Sequence, residues 1–356
     1  MREASRLTRF VRAELVADDQ VAKADGTPVT IADFGAQALI VAKLREALGA
    51  DVRVIAEEDA RGLRNAPQAE LCARVVRAVH IVRPELSRAD ILDAIDVTYA
   101  AASTQKTIEG SPQGEGTDQS EEPFWVLDPI DGTKGFIRPG AQYAICLARI
   151  ENGTVQLGVL GCPSLPFDHT PVDTLDDPQR GDPTVGTLFE AVAGGGARQW
   201  ALHEDGSLGE SEVLRVTDVG SISEATATES ASARHGAHRR TARILGSLGI
   251  PTSKRLDSQA KYGALARGDV GIYLRLPLRE KRGENLWDHA AGLRIVEEAG
   301  GQVTDLAGGR LDVSQPPRFP QNRGILATNG PLHTPMLEAI RADYDAHPPP
   351  NGADAD

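Results

Sequence analysis

The run Phe124-Trp125-Val126-Leu127 ends in Asp128-Pro129-Ile130-Asp131-Gly132-Thr133-Lys134-Gly135-Phe136, and no other stretch restricts the fold so tightly. The apolar run reads as a strand. Pro129 fixes φ near about −65°, and Gly132 lets the backbone approach a ligand closely. Two carboxylates therefore leave one tight turn at a strand end. With the Ile130 carbonyl between them they make a hard-oxygen set suited to Mg²⁺, which takes carboxylates, water and substrate phosphate. Asp-Pro and Asp-Gly are also common turn pairs, so the turn alone leaves an ordinary Asx-type turn open.

Around this turn the pattern alternates. Helical spacing of apolar residues covers Ser5 to about Asp18, Phe34 to Leu48, Ala69 to Val82 and Arg88 to Ala102. Asp51 to Ala56 reads as a strand, as do Tyr143 to Ile150, Val155 to Leu160 and Gly186 to Val192. Nearness in sequence favours antiparallel pairing in this half. Ser103 to Pro123 is almost wholly polar and predicts a long loop, a candidate lid. The chain turns polar again over His203 to Glu212, which sets a boundary between a first layer, 1–205, and a second, 206–345. In the second, helices over Thr241 to Leu248, Lys261 to Ala266 and Asp288 to Ala299 alternate with strands at Gly271 to Leu276 and Ile325 to Thr328, an α/β pattern. Residues 346–356 read as a disordered tail.

Composition excludes several classes. Among 356 residues, 51 Asp+Glu against 38 Lys+Arg give a net charge of −13, which argues against binding a nucleic-acid polymer through its phosphates. Apolar residues at 40 % are enough for a core, and aromatics at only 4 % leave it to Ala, Val, Leu and Ile. No apolar run approaches the ~18 residues of a membrane span, and the charged N-terminus is unlike a secretion signal, so a cytoplasmic protein is expected. Cys72, Cys146 and Cys162 are widely spaced and predict buried thiols, not a disulfide or zinc framework.

More acidic features accompany the turn. Glu57 and Glu58 follow a strand, Asp33 sits at the mouth of a helix, and Asp288 follows Trp287 at the start of another. Singly, each is also explained as a helix-end carboxylate or solvated loop. Together, DPIDGT, the upstream Glu-Glu-Asp and WDHAAG resemble the three-motif signature of the lithium-sensitive, magnesium-dependent inositol monophosphatase superfamily. DPIDGTKGF, LDSQAKYGALARGDVGIYLRLP and WDHAAG look like its 3′(2′),5′-bisphosphate nucleotidase branch, from about Lys23 to Leu326. The fold this implies is a layered α-β-α-β-α sandwich of the α+β or α/β class. One departure is Ala56, where the family usually has Gly.

The resemblance implies two or three Mg²⁺ ions held by Glu57, Asp128, Asp131, Asp288 and the Ile130 carbonyl, with Glu58 as the alternative to Glu57. Asp33 would pair with the Thr133 hydroxyl to orient and deprotonate the attacking water, and the Asp131–Thr133 turn, through the Gly132 and Thr133 N–H groups, would receive phosphate oxygens. Lys261 and Arg275 would bind a second phosphate, and His235 and Ser258 the nucleoside. Arg275 also reads as an exposed strand residue, Lys261 as a helix-surface lysine and His235 as a structural or solvated histidine. The implied reaction removes the 3′-phosphate of adenosine 3′,5′-bisphosphate to give AMP, and the sulfated nucleotide is a further candidate substrate. An inositol phosphatase is the alternative enzyme and a nucleotide or metal sensor the non-enzymatic one. The resemblance points to a monomer with no polymer or membrane partner.

Overall fold

The computed structural model describes residues 1–14, 21–22, 28–29, 31–97, 122–138, 140–169, 183–231, 237–250, 253–277 and 283–348. Strand β4 (Phe124–Asp131) organises the first half. It pairs in parallel with β3 (Val54–Ala56) and antiparallel with β5 (Ala144–Glu151). The sheet continues through β6 (Thr154–Cys162), β7 (Val185–Val192), β8 (Gly196–His203) and β9 (Leu208–Val213), all antiparallel, to seven strands. The expected division at 205/206 falls inside the β8–β9 hairpin. A two-stranded ribbon, β1 (Val21–Ala22) with β2 (Pro28–Val29), stands apart in the chain between the first two helices.

Both faces of the large sheet are covered, and side-chain alternation decides what each touches. Trp125 and Leu127 point into a core with helices α1 (Arg2–Ala13), α2 (Ile31–Leu48), α3 (Ala69–His80) and α4 (Arg88–Ile95). Phe124 and Val126 point the other way, toward α7 (Ala260–Ala266) and α8 (Ala290–Glu298). Between these two helices and the last layer stands a five-stranded sheet of order β11-β10-β12-β14-β13. Its strands are β10 (Ala227–Ser230), β11 (Ser253–Leu256), β12 (Ile272–Arg275), β13 (Gln302–Thr304) and β14 (Ile325–Thr328), parallel from β11 to β12 and antiparallel beyond. Helices α6 (His238–Ser247) and α9 (His333–Ala346) cover its far face through Ile244, Leu245, Met336 and Ile340. The layers run α-β-α-β-α, as the family resemblance implied.

Most expected elements are present with shifted ends. Strand β4 runs four residues beyond the expected end, through Pro129 and into Asp131. The N-terminal helix stops at Ala13. Strands β8 to β11 and β13 carry too little apolar alternation to be read from sequence; β9, for instance, is mostly exposed. The candidate lid, apart from 122–123, and the tail beyond 348 lie outside the described residues. Among the described residues no helix is long and apolar enough to cross a membrane. Cys72, Cys146 and Cys162 are free and buried.

Candidate active site

Regular alternation along β4 would put Asp128 and Ile130 on one face and send Asp131 to the other. A bulge prevents this: Asp128 opposes Cys146 while Asp131 opposes Ala144, so the register shifts between them. Pro129, which has no N–H for the ladder, sits where that ladder is interrupted. Ile130 therefore joins the α1–α4 core, and Asp128 and Asp131 both reach one cavity. Gly132 then adopts φ +83°, in the left-handed region, and the short helix α5 (Thr133–Phe136) begins.

The cavity has a volume of about 220 Å³ and lies between β4–α5, the segment leading into α7, β12 and the turn before α8. Glu57, Asp128, Ile130, Asp131, Gly132, Thr133, Ser258, Lys261, Arg275 and Asp288 all line it. Thus nearly all the expected residues converge from segments as far apart as 57 and 288. Glu57 faces the cavity, its N–H donating to Leu127 O at 3.2 Å. Glu58 is buried behind it, and its backbone is held by Gln37 on α2: Gln37 Nε2 donates to Glu58 O (2.7 Å) and Glu58 N donates to Gln37 Oε1 (3.1 Å). Asp33 is buried one helical turn from Gln37. The Thr133 hydroxyl donates to Ile130 O at 3.3 Å, the local three-residue return that Ser and Thr readily make. His235 lies outside the described residues.

The electrostatics are lopsided. Burial, then the charges of Glu57, Asp131, Asp288 and Asp33, push the Asp128 carboxyl well above the carboxylate range. Burial also lifts Asp131 to about 6, even though Lys261, Arg275 and the Gln259 N–H pull it down. Asp288 is raised by burial and by Asp131. Asp128 Oδ1 is buried with no hydrogen-bond partner, an expensive state for a carboxylate. Two cations stand opposite, Lys261 buried and Arg275 half-buried. Lys261 Nζ donates to Ser258 O (2.5 Å) and Leu256 O (3.2 Å) and lies 5.3 Å from the Tyr273 ring centre. Arg275 donates Nη2 to Glu284 Oε2, while its buried Nε has no partner. Burial works against Glu284, yet Arg275 and His289 hold it well below the carboxylate range.

Sequence reasoning passed over several lining residues: Lys134, Ser230, Asp257, Gln259, Tyr262, Tyr273 and Asn285. Lys134, Asp257, Gln259, Tyr262 and Tyr273 lie inside the motifs quoted above, and their place in those motifs was the available signal. Asp257 accepts from Arg138 Nη2 at 2.8 Å, tying the segment after α5 to the one before α7. Glu284 carried no signal beyond lying four residues before Asp288.

A curated 3′(2′),5′-bisphosphate nucleotidase of Emericella nidulans is 38 % identical over 91 % of this chain and 91 % of its own. One of Oryza sativa is 39 % identical over 95 % of this chain and 90 % of its own. Among solved structures, the Thermotoga maritima IMPase shares the fold, with TM-score 0.57 and 20 % identity over 97 % of this chain and 95 % of that one. The profile described as "Inositol monophosphatase family" matches residues 87–345, which include the β4 turn, Arg275 and Asp288. On the cavity's carboxylates, the layered fold and these matches together, the chain belongs to the inositol monophosphatase family.

Proposed function

We propose that the protein hydrolyses the 3′-phosphate of adenosine 3′,5′-bisphosphate to AMP and phosphate with the help of Mg²⁺. The observation that carries the cation is the orphaned Asp128 Oδ1 within a group of mutually repelling carboxylates. Hard oxygen donors of this kind suit Mg²⁺. Glu57, Asp128, Asp131, Asp288 and the Ile130 carbonyl would hold it. Bound Mg²⁺ supplies charge neutralisation for the scissile phosphate and acidifies the attacking water.

The chain's own groups do the rest. Asp33, buried near enough for its charge to reach Asp128, accepts the proton of the water. The water oxygen bonds to phosphorus as the bond to the ribose 3′-oxygen breaks, and that oxygen leaves with a proton from solvent. The backbone N–H groups of Gly132 and Thr133, at the opening of α5, receive the phosphate oxygens. Lys261 and Arg275, whose Nε has no partner, line the cavity and are assigned to a second phosphate, a feature that favours a bisphosphate over an inositol monophosphate. The relatives above bear the name bisphosphate nucleotidase. The cavity, about 220 Å³, is smaller than the roughly 300–1,000 Å³ of sites that enclose whole drug-sized ligands. A cavity of that size suits the phosphates, and Ser258 is assigned to the nucleoside.

Arg275→Lys tests the second-phosphate reading because it keeps the charge and loses the planar fork. Losing a charge-assisted bond of about 1.5–3 kcal/mol raises KM for the bisphosphate by roughly tenfold or more. KM for adenosine 3′-monophosphate stays near its original value. Equal effects on both substrates would refute the assignment.

A further inference from the structure

We propose that Gln259 is a positioning residue that fixes the separation and orientation of Asp131 and Asp288. Gln259 is 1 % exposed and fully engaged. Its N–H donates to Asp131 Oδ2 (2.5 Å), its Nε2 donates to Trp287 O (2.7 Å), and its Oε1 accepts from Gly292 N (3.0 Å). Its carbonyl accepts from Tyr262 N and Gly263 N at the start of α7. The Trp287 and Gly292 bonds straddle Asp288, while the Asp131 bond reaches the end of β4. One residue thus ties a carboxylate of the seven-stranded sheet to a carboxylate that precedes α8.

Those carboxylates repel one another, so an unrestrained pair would turn apart. Ser258, at φ +63°, makes the turn immediately before Gln259, so its N–H meets Asp131 while its side chain reaches the α8 turn. The side chain must donate at one end and accept at the other across that span. Asn offers both groups one methylene short, and Met has the length with neither group. Outer partners that orient ligating groups typically contribute about 10–100-fold in metal affinity.

This inference rests on the reading that Asp131 and Asp288 hold a cation, and the test separates the two. Mn²⁺ binding is titrated by the loss of the free-ion electron paramagnetic resonance signal in the full-length protein and in Gln259→Met, Gln259→Asn and Asp131→Asn. Urea unfolding in chelator is followed in parallel. Both Gln259 variants should bind Mn²⁺ about 10–100-fold more weakly than the parent while folded. A lowered urea midpoint with unchanged Mn²⁺ affinity would make Gln259 merely structural and overturn the proposal. Should Gln259→Met fail to fold, Gln259→Asn decides by the same criterion. If the parent binds no Mn²⁺, or Asp131→Asn binds it equally well, the cation reading itself falls.

Discussion

Replacing Asp131 by Asn removes a charge that the folded protein resists carrying, so the inactive variant should be the more stable one in chelator. Burial raises the Asp131 carboxyl from 3.8 to about 6. Its unfolded counterpart ionises near 3.8. The protonated form therefore favours the folded state fully below 3.8, and this advantage disappears as pH rises through 6. A shift of about two units corresponds to ~3 kcal/mol of lost stability at pH 7.5. Asn keeps an oxygen for the Gln259 N–H. At ~2.1 cal/mol/K per residue, 356 residues give an unfolding entropy of ~0.75 kcal/mol/K, so ~3 kcal/mol is worth ~4 °C in Tm. At pH 5 the gain should shrink to about half. Mg²⁺ at 100-fold over its Kd should return ~2.7 kcal/mol to the parent and little to the variant, closing the gap. Differential scanning calorimetry in EDTA and in MgCl₂, at both pH values, makes the comparison. Equal melting in EDTA at pH 7.5, or equal gains from Mg²⁺, would refute the electrostatic reasoning.

Other expectations follow from named contacts. A Cβ on Gly135 would lie 2.1 Å from Gln142 O and 3.1 Å from Asp257 Cβ, so Gly135→Ala should destabilise by at least about 1–3 kcal/mol and depress phosphate release; an unchanged urea midpoint would contradict this. Ser258→Gly relieves a left-handed conformation and should leave stability equal or higher while weakening nucleotide binding, which unfolding and KM measurements check separately. His333 is bonded at both ring nitrogens, to Thr304 and Thr328, and burial lowers it to about 4. Its stabilising neutral form is fully favoured above 6.5 and is lost as pH falls toward 4, a loss of up to about 3 kcal/mol. His333→Gln should flatten the stability profile across that window.

The β4 turn was legible because Asp-Pro and Asp-Gly after an apolar run leave few conformations. Its continuation as a strand was not, since Pro129 is an ordinary stop signal and only the bulge accommodates it. Glu57 and Asp288 were found through motif spacing, and the layered fold brings them together from opposite halves. Whether Glu57 or Glu58 faces the cavity depended on Gln37, 21 residues upstream, gripping the Glu58 backbone. Glu284 went unassigned because its bond to Arg275 is tertiary, and Gln259, though inside a motif, makes bonds to Asp131, Trp287 and Gly292 that no periodicity encodes. Strands β10 and β11, each four residues long, acquire their identity from pairing with each other and with β12.

The activity proposed for this cavity is a cation-dependent cut at the 3′-phosphate, guided by a second phosphate. Phosphate release in MgCl₂ from adenosine 3′,5′-bisphosphate, adenosine 3′-monophosphate, AMP and inositol 1-phosphate, each repeated in EDTA, tests it most directly. The bisphosphate should show the highest kcat/KM, with AMP as the product and a resistant substrate, and EDTA should abolish release. Faster release from inositol 1-phosphate, or release that survives EDTA, would contradict it.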